Sequence, residues 1–150
     1  VQSLLDEKYG EGLRVICPIT DPYVVHHGAL GSLVMIHNLN NHDMRAVADY
    51  LIQLDGVTEV YDRDLAAKKL ELAPDRIGDL TVMCGRDWVL GRTPADHDLS
   101  VLKGGLRSHG GRYEEMVPML LSRPLNPTYT PKVAGDPRNW DIFDFTCNGG

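Results

Sequence analysis

The spacing of apolar residues predicts four short strands in the first half of the chain. Each is a short apolar run bounded by glycine, proline or polar turn residues, which is the pattern of buried strands. Glycines at positions 28 and 31 precede the second run and predict a bend where another backbone approaches closely. The four runs are residues 13–19, 33–36, 57–61 and 77–83.

Helices are predicted before and between these strands. The most regular one can begin at Asn41 or Asp43 and ends at Gly56, and its apolar residues recur with a 3.6-residue period. Asp62 can cap a second helix, and residues 1–9 form the end of another. The order strand, strand, helix, strand, helix, strand predicts a small split α+β sandwich with its helices on one face. The periodic apolar positions are Met44, Val47, Ala48, Leu51, Ile52 and Leu54.

The pattern changes from about Trp88. Glycines and prolines interrupt the chain until Met116, and a long loop of this kind is usually functional or a linker. Residues 116–121 form another apolar run, and residues 126–135, with two prolines, predict a surface excursion. The final aromatic-rich stretch predicts either a short terminal helix or an extended tail that packs on a core.

Composition narrows the class of protein. The chain has 150 residues, of which 43% are hydrophobic, enough for an ordinary core, and its net charge of -6 argues against a nucleic-acid partner. Three widely spaced cysteines without a CxxC pair predict small buried thiols rather than disulfides or a cysteine zinc site. Because no apolar run is long enough to span a bilayer, we expect a cytoplasmic protein without a membrane partner.

His109 is the candidate metal ligand in the glycine-rich loop. The two glycines that follow it let the backbone approach an ion or substrate closely and leave the imidazole unobstructed. An exposed loop histidine without a function would look the same. Arg107 and Arg112 lie on either side and could hold a phosphoryl or carboxylate oxygen, or could simply be solvated.

Other candidates carry weaker signals. His26 and His27 are adjacent, so in a strand they would point to opposite faces, which favours structural roles. Asp96, His97 and Asp98 could coordinate an ion, but capping and solvation explain such a loop as well. No GxSxG, P-loop or HExxH motif is present, so the chain does not read as a complete hydrolase.

Three stretches closely resemble the C-terminal part of phosphonoacetate hydrolases of the alkaline phosphatase superfamily. They read CPITDPYVVHHGALGS (residues 17–32), DRIGDLTV (75–82) and LRSHGGRYEEMVPMLLSRPL (106–125). Looser matches at residues 55–72 and 139–145 follow in the same order. The resemblance therefore covers nearly the whole chain, and the wording of HHGALGS and RSHGG separates it from related nucleotide pyrophosphatases.

The resemblance implies an α/β alkaline-phosphatase-like core segment plus an α+β cap subdomain, together a fragment of a larger fold. Residues 1–98 would be mainly the cap, and residues 99–150 the segment that returns to the core. The implied reaction cleaves the carbon-phosphorus bond of phosphonoacetate to acetate and phosphate with two zinc ions. His109 matches the late histidine ligand of one zinc.

The family's threonine nucleophile and its other metal ligands have no counterpart in this sequence. No catalytic residue is therefore assigned, and the chain by itself is expected to be inactive. Substrate-binding residues stay unassigned, although Tyr23, His26 and His27 could face the cleft from the cap.

Two other functions stay open at this point. A nucleotide pyrophosphatase or phosphodiesterase of the same superfamily would share His109 but bind a larger substrate. A stand-alone α+β module could bind a small ligand, or form a homodimer through the open edge of its sheet.

Overall fold

The computed structural model describes residues 1–18, 30–97, 100 and 109–150. It contains two compact units, Val1–Glu115 and Met116–Gly150, which are described separately below. The predicted division after residue 98 concerns roles within a larger fold, and it stays a prediction.

The first unit is built on a four-stranded antiparallel sheet. Its strands have the order β1-β2-β4-β3, so β4 lies between β2 and β3. Val82 in the middle of β4 lies opposite Val34 on one side and Val60 on the other. The strands are β1 (Leu13–Ile16), β2 (Leu33–Asn38), β3 (Val57–Asp62) and β4 (Leu80–Cys84).

Helices α1 (Gln2–Tyr9) and α2 (Met44–Leu51) cover one face of this sheet. Both contribute residues to the same buried cluster as β1, β2 and β4, which confirms for these two helices the prediction of a shared face. The third helix, α3 (Arg63–Leu70), buries Ala66 completely. The buried cluster contains Leu5, Leu13, Val15, Cys17, Val34, Ile36, Val47, Leu51, Leu80, Val82, Cys84 and Leu90.

Aspartates cap the N-termini of the two helices for which the sequence predicted caps, α2 and α3. The Asp43 carboxylate accepts hydrogen bonds from the amides of Arg45 (3.0 Å) and Ala46 (3.4 Å). Asp62 accepts one from the amide of Leu65 at 2.8 Å. Asn41, the alternative start of α2, instead has a φ of 55° in the preceding turn. Side-chain acceptors therefore satisfy amides that the helix itself leaves unpaired.

We expect Asp43→Ala to lower the free energy of unfolding by about 1 kcal/mol, because two amides at the start of α2 lose their acceptor. Asp43→Asn keeps an acceptor at the same place and should change it by only a few tenths of a kcal/mol. Urea denaturation of both variants measures the difference. An equal loss in the two would mean that the cap does not stabilise α2.

The second unit is small and helical. After a 3-10 turn (Pro127–Tyr129) it contains α4 (Thr130–Ala134) and α5 (Asp141–Asn148), and Phe145 is its buried aromatic residue. The Tyr129 ring packs edge-on against Phe145, with centroids 5.7 Å apart. Of the two forms predicted for the terminal stretch, a helix and an extended tail, the structure shows the helix. The surface excursion predicted for residues 126–135 contains helical turns.

The apolar run at residues 116–121 forms no helix or strand. Met116 is 90% exposed and Leu120 is 88% exposed. In the described part of the chain, no helix combines the length and the apolar character that crossing a membrane requires.

Candidate functional site

Residues 109–115, the histidine segment, are attached to the sheet where β2 begins. The amide of Ser32 donates a hydrogen bond to the carbonyl oxygen of His109 at 2.9 Å. The Ser32 carbonyl in turn accepts from the amide of Cys84 at 3.0 Å, and the preceding Gly31 forms a bridge with Leu90. The backbone of His109 is therefore tied to the residue that precedes β2. The close backbone approach predicted at Gly31 is confirmed, whereas Gly28 lies outside the described residues.

The two glycines after His109 have different structural roles. Gly110 has a φ of 84°, a conformation that favours glycine. A Cβ at Gly111 would lie 2.6 Å from the Cβ of Ser32 and 2.5 Å from a carboxylate oxygen of Glu114. The amide of Gly111 donates to that carboxylate at 2.8 Å. Gly111 thus lies against Ser32, and any side chain at position 111 would push the segment away from it. The predicted approach of this backbone to an ion or substrate stays a prediction.

Arg112 is paired with carboxylates on two sides. Its Nε lies 3.2 Å from Glu59 Oε1 on β3, and its Nη1 lies 2.7 Å from Glu115 Oε1. The hydrogen bonds to Glu115 and then to Glu59 raise the pKa of Arg112. Arg112 thus holds carboxylate oxygens of the chain's own glutamates, and a contact with a substrate oxygen stays a prediction. Arg107 lies outside the described residues.

Tyr113 adds a further contact, between the histidine segment and the loop that follows β4. The guanidinium of Arg86 lies 4.9 Å from the centroid of its ring, within the range of a cation–π interaction. The histidine segment is therefore held through its backbone at residue 109 and through side chains at positions 112 and 113.

The imidazole of His109 is exposed, while its backbone carbonyl is held. Zinc needs about four ligands, and an imidazole nitrogen is one of its preferred donors. Within residues 1–18, 30–97, 100 and 109–150, no three His, Cys, Asp or Glu side chains gather to hold a metal ion. The described residues thus fit one position of a zinc site and do not complete it. That His109 is a metal ligand stays a prediction.

No protein-family model matches the chain. Two crystal structures of phosphonoacetate hydrolase from Sinorhizobium meliloti 1021, one with phosphonoformate and one with phosphonoacetate, each match 96% of it. The identity is 40% and the TM-score is 0.73 in both cases. The predicted resemblance to phosphonoacetate hydrolases is confirmed. The chain spans 34% of the length of those phosphonoacetate hydrolase chains.

The acidic stretch at residues 96–98, a weaker candidate in the sequence, has local partners. The Asp96 carboxylate accepts a hydrogen bond from Thr93 Oγ1 at 2.8 Å, and this bond lowers the pKa of Asp96. The His97 ring packs so closely on Gly91 that a Cβ there would lie 2.3 Å from its Nε2. These contacts agree with a structural role. Asp98, Tyr23, His26 and His27 lie outside the described residues.

The cysteines behave as predicted at two of three positions. Cys17 and Cys84 are buried free thiols, and burial raises the pKa of both. The prediction is wrong for Cys147, which is exposed. Since α5 buries Phe145, a residue two positions later lies on the opposite side of the helix.

Sequence reasoning missed Ser32, Glu59 and Tyr61 as partners of the histidine segment. Glu59 and Tyr61 lie two residues apart on β3, so they share one face of the sheet. That alternation is the only signal the sequence offers, and it does not indicate that Arg112 is the partner. These residues explain how the histidine segment is held from His109 onward.

Proposed function

We propose that this chain is part of a phosphonoacetate hydrolase, which cleaves phosphonoacetate to acetate and phosphate with zinc. The observation that carries the proposal is the 40% identity, over 96% of the chain, to an enzyme whose structures hold phosphonoacetate and phosphonoformate. The proposed context is an alkaline-phosphatase-like α/β core, with residues 1–98 mainly in a cap and residues 99–150 returning to the core.

In this proposal His109 supplies one zinc ligand. Its exposed ring and tethered backbone support that role, because a ligand binds well when its own position is fixed before the metal arrives. Zinc, when bound, supplies a Lewis acid for a phosphoryl oxygen. Ser32 and Gly111 contribute by holding the segment that carries the imidazole. The nucleophile and the other ligands are proposed to lie outside the described residues.

The reaction itself is a hydrolysis. Water adds to phosphorus overall, the carbon–phosphorus bond breaks, and the carbon that leaves takes up a proton to become the methyl group of acetate. The carboxylate of the substrate withdraws electrons from this carbon and so makes its departure easier. Substrates without the carboxylate should therefore react more slowly.

Phosphate release by the longest natural polypeptide that carries this sequence tests the proposal. We expect turnover of phosphonoacetate that stops when a chelator removes the metal and returns when zinc is added. Bis(p-nitrophenyl) phosphate serves as the comparison substrate. Hydrolysis of this diester without release of phosphate from phosphonoacetate would instead support the phosphodiesterase alternative.

A further inference from the structure

The histidine segment is held at residue 109 itself and again three residues later. At residue 109 the carbonyl accepts a hydrogen bond from the amide of Ser32, the residue before β2. Three residues later Arg112 reaches Glu59 on β3. Because β3 and β4 pair from Val57 to Asp62, Glu59 stands on a strand that is itself fixed. The backbone of the histidine segment is therefore held at the residue before β2, and its Arg112 side chain is held by β3.

We propose that the ion pair between Glu59 and Arg112 is the device that positions His109, and that Arg112 is a positioning residue rather than a substrate-binding one. This inference rests on the proposed function only for its statement about zinc. The statement about the backbone of the segment stands on the geometry alone.

The Glu59–Arg112 ion pair is bidentate, and it is called the clamp below. Arg112 Nε lies 3.2 Å from Glu59 Oε1, and Nη2 lies 3.4 Å from Glu59 Oε2. The Tyr61 hydroxyl donates to the same Glu59 carboxylate, which orients it toward Arg112. The Arg112 and Glu59 side chains are 30% and 24% exposed, so water screens the pair less than it screens a surface pair. A planar guanidinium fits this arrangement, and a lysine ammonium does not.

The same contacts argue against a phosphoryl-binding role. Nε and Nη2 of Arg112 face Glu59, and Nη1 donates to Glu115 at 2.7 Å. A phosphonate would have to displace one carboxylate and remain beside the other. Like charges at such distances repel, so an anionic substrate gains little from this arginine.

Release of the clamp has a consequence that can be measured at a single amide. The hydrogen bond from Ser32 to His109 protects the Ser32 amide from exchange with solvent. If Arg112 holds the segment down, its loss lets the segment open locally while the sheet stays folded. The Val82 amide, in the centre of the sheet, then reports any global unfolding.

The experiment uses Arg112→Lys, Glu59→Gln and the variant that combines these two substitutions. Arg76→Lys serves as the control. Arg76 is a suitable control because its ion pair with Asp75 is exposed. Hydrogen exchange is expected to become about tenfold faster or more at Ser32, and to stay unchanged at Val82, in both single variants. The Ser32 amide of the double variant should exchange no faster than in either single variant, because both substitutions remove the ion pair between Glu59 and Arg112. The control should change neither amide.

Zinc titration and steady-state kinetics of the longest natural polypeptide complete the test. We expect about 10–100-fold weaker zinc binding in Arg112→Lys, together with a lower kcat and an unchanged KM for phosphonoacetate at saturating zinc. Unchanged exchange at Ser32, or a raised KM with zinc affinity intact, overturns the positioning role. Failure of the unaltered protein to bind zinc overturns the proposed function instead, whatever the exchange rates are.

Discussion

Leu51→Ala is expected to lower the free energy of unfolding of the first unit by about 2–5 kcal/mol. Leu51 lies on the inner side of α2, is fully buried, and belongs to the same cluster as Val34, Ile36 and Val82. Removing its isobutyl group loses apolar burial and leaves a cavity between a helix and a sheet that are both held by other contacts. The expected loss of free energy of unfolding is therefore large among the losses that single substitutions cause.

The neighbouring residue provides the control. Ile52 is 39% exposed and lies outside the buried cluster, so Ile52→Ala should cost less than about 1 kcal/mol. Trp88 can report on the transition, because its ring packs against Gly56 in the same unit. Urea denaturation in a Trp140→Phe background, where Trp88 is the one remaining tryptophan and is excited selectively, gives both values. Equal losses at the two positions would mean that α2 does not pack as the structure shows.

The parts of the fold that depend on local sequence were predictable. Asp43 and Asp62 marked the starts of α2 and α3, because capping involves amides within three residues, whereas α2 ends at Leu51 and not at the predicted Gly56. The order of elements in the first unit was confirmed for the same reason. Strand order was not predictable in this way. The position of β4 between β2 and β3 depends on pairing of residues far apart in the chain.

The second unit shows why short helices escape pattern analysis. Pro127 and Pro131 indicated a surface excursion, yet both occupy first-turn positions, where the missing amide hydrogen has no helical partner to lose. Five residues in α4 are too few for a period to show. Pro127 is the first residue of the 3-10 turn and Pro131 is the second residue of α4, so both prolines start helical turns instead of preventing them.

For the candidate site, the sequence indicated His109 as a candidate ligand and missed the residues that hold its segment. Two glycines beside His109 signalled a special backbone, and Gly110 and Gly111 do have a positive φ and a close approach, respectively. Glu59 and Arg112 are 53 positions apart, and no pattern in the residues around either one indicates that they form an ion pair. Charged residues on a strand and in a loop are ordinarily solvated, so only the fold shows that these two meet.

His109→Ala is expected to reduce zinc-dependent turnover of phosphonoacetate by at least about 100-fold in the longest natural polypeptide that carries this sequence. Loss of a residue that merely supports a metal ligand costs about 10–100-fold, and loss of the ligand itself should cost more. The substitution removes an exposed ring but keeps the carbonyl that Ser32 binds. The segment should therefore remain in place, and the free energy of unfolding should change by less than about 0.5 kcal/mol.

A second histidine makes the test specific. His42 lies with its Nε2 3.0 Å from the carbonyl oxygen of Glu11, so His42→Gln removes an imidazole with a structural contact. We expect this variant to retain turnover within about twofold and to bind zinc as the unaltered protein does, because its ring is already engaged by the backbone. Exchange at the Ser32 amide should be the same in His109→Ala and in the unaltered protein. Normal turnover in His109→Ala would remove His109 from the zinc site, whereas lost turnover together with fast Ser32 exchange would mean that the imidazole holds the segment rather than the metal.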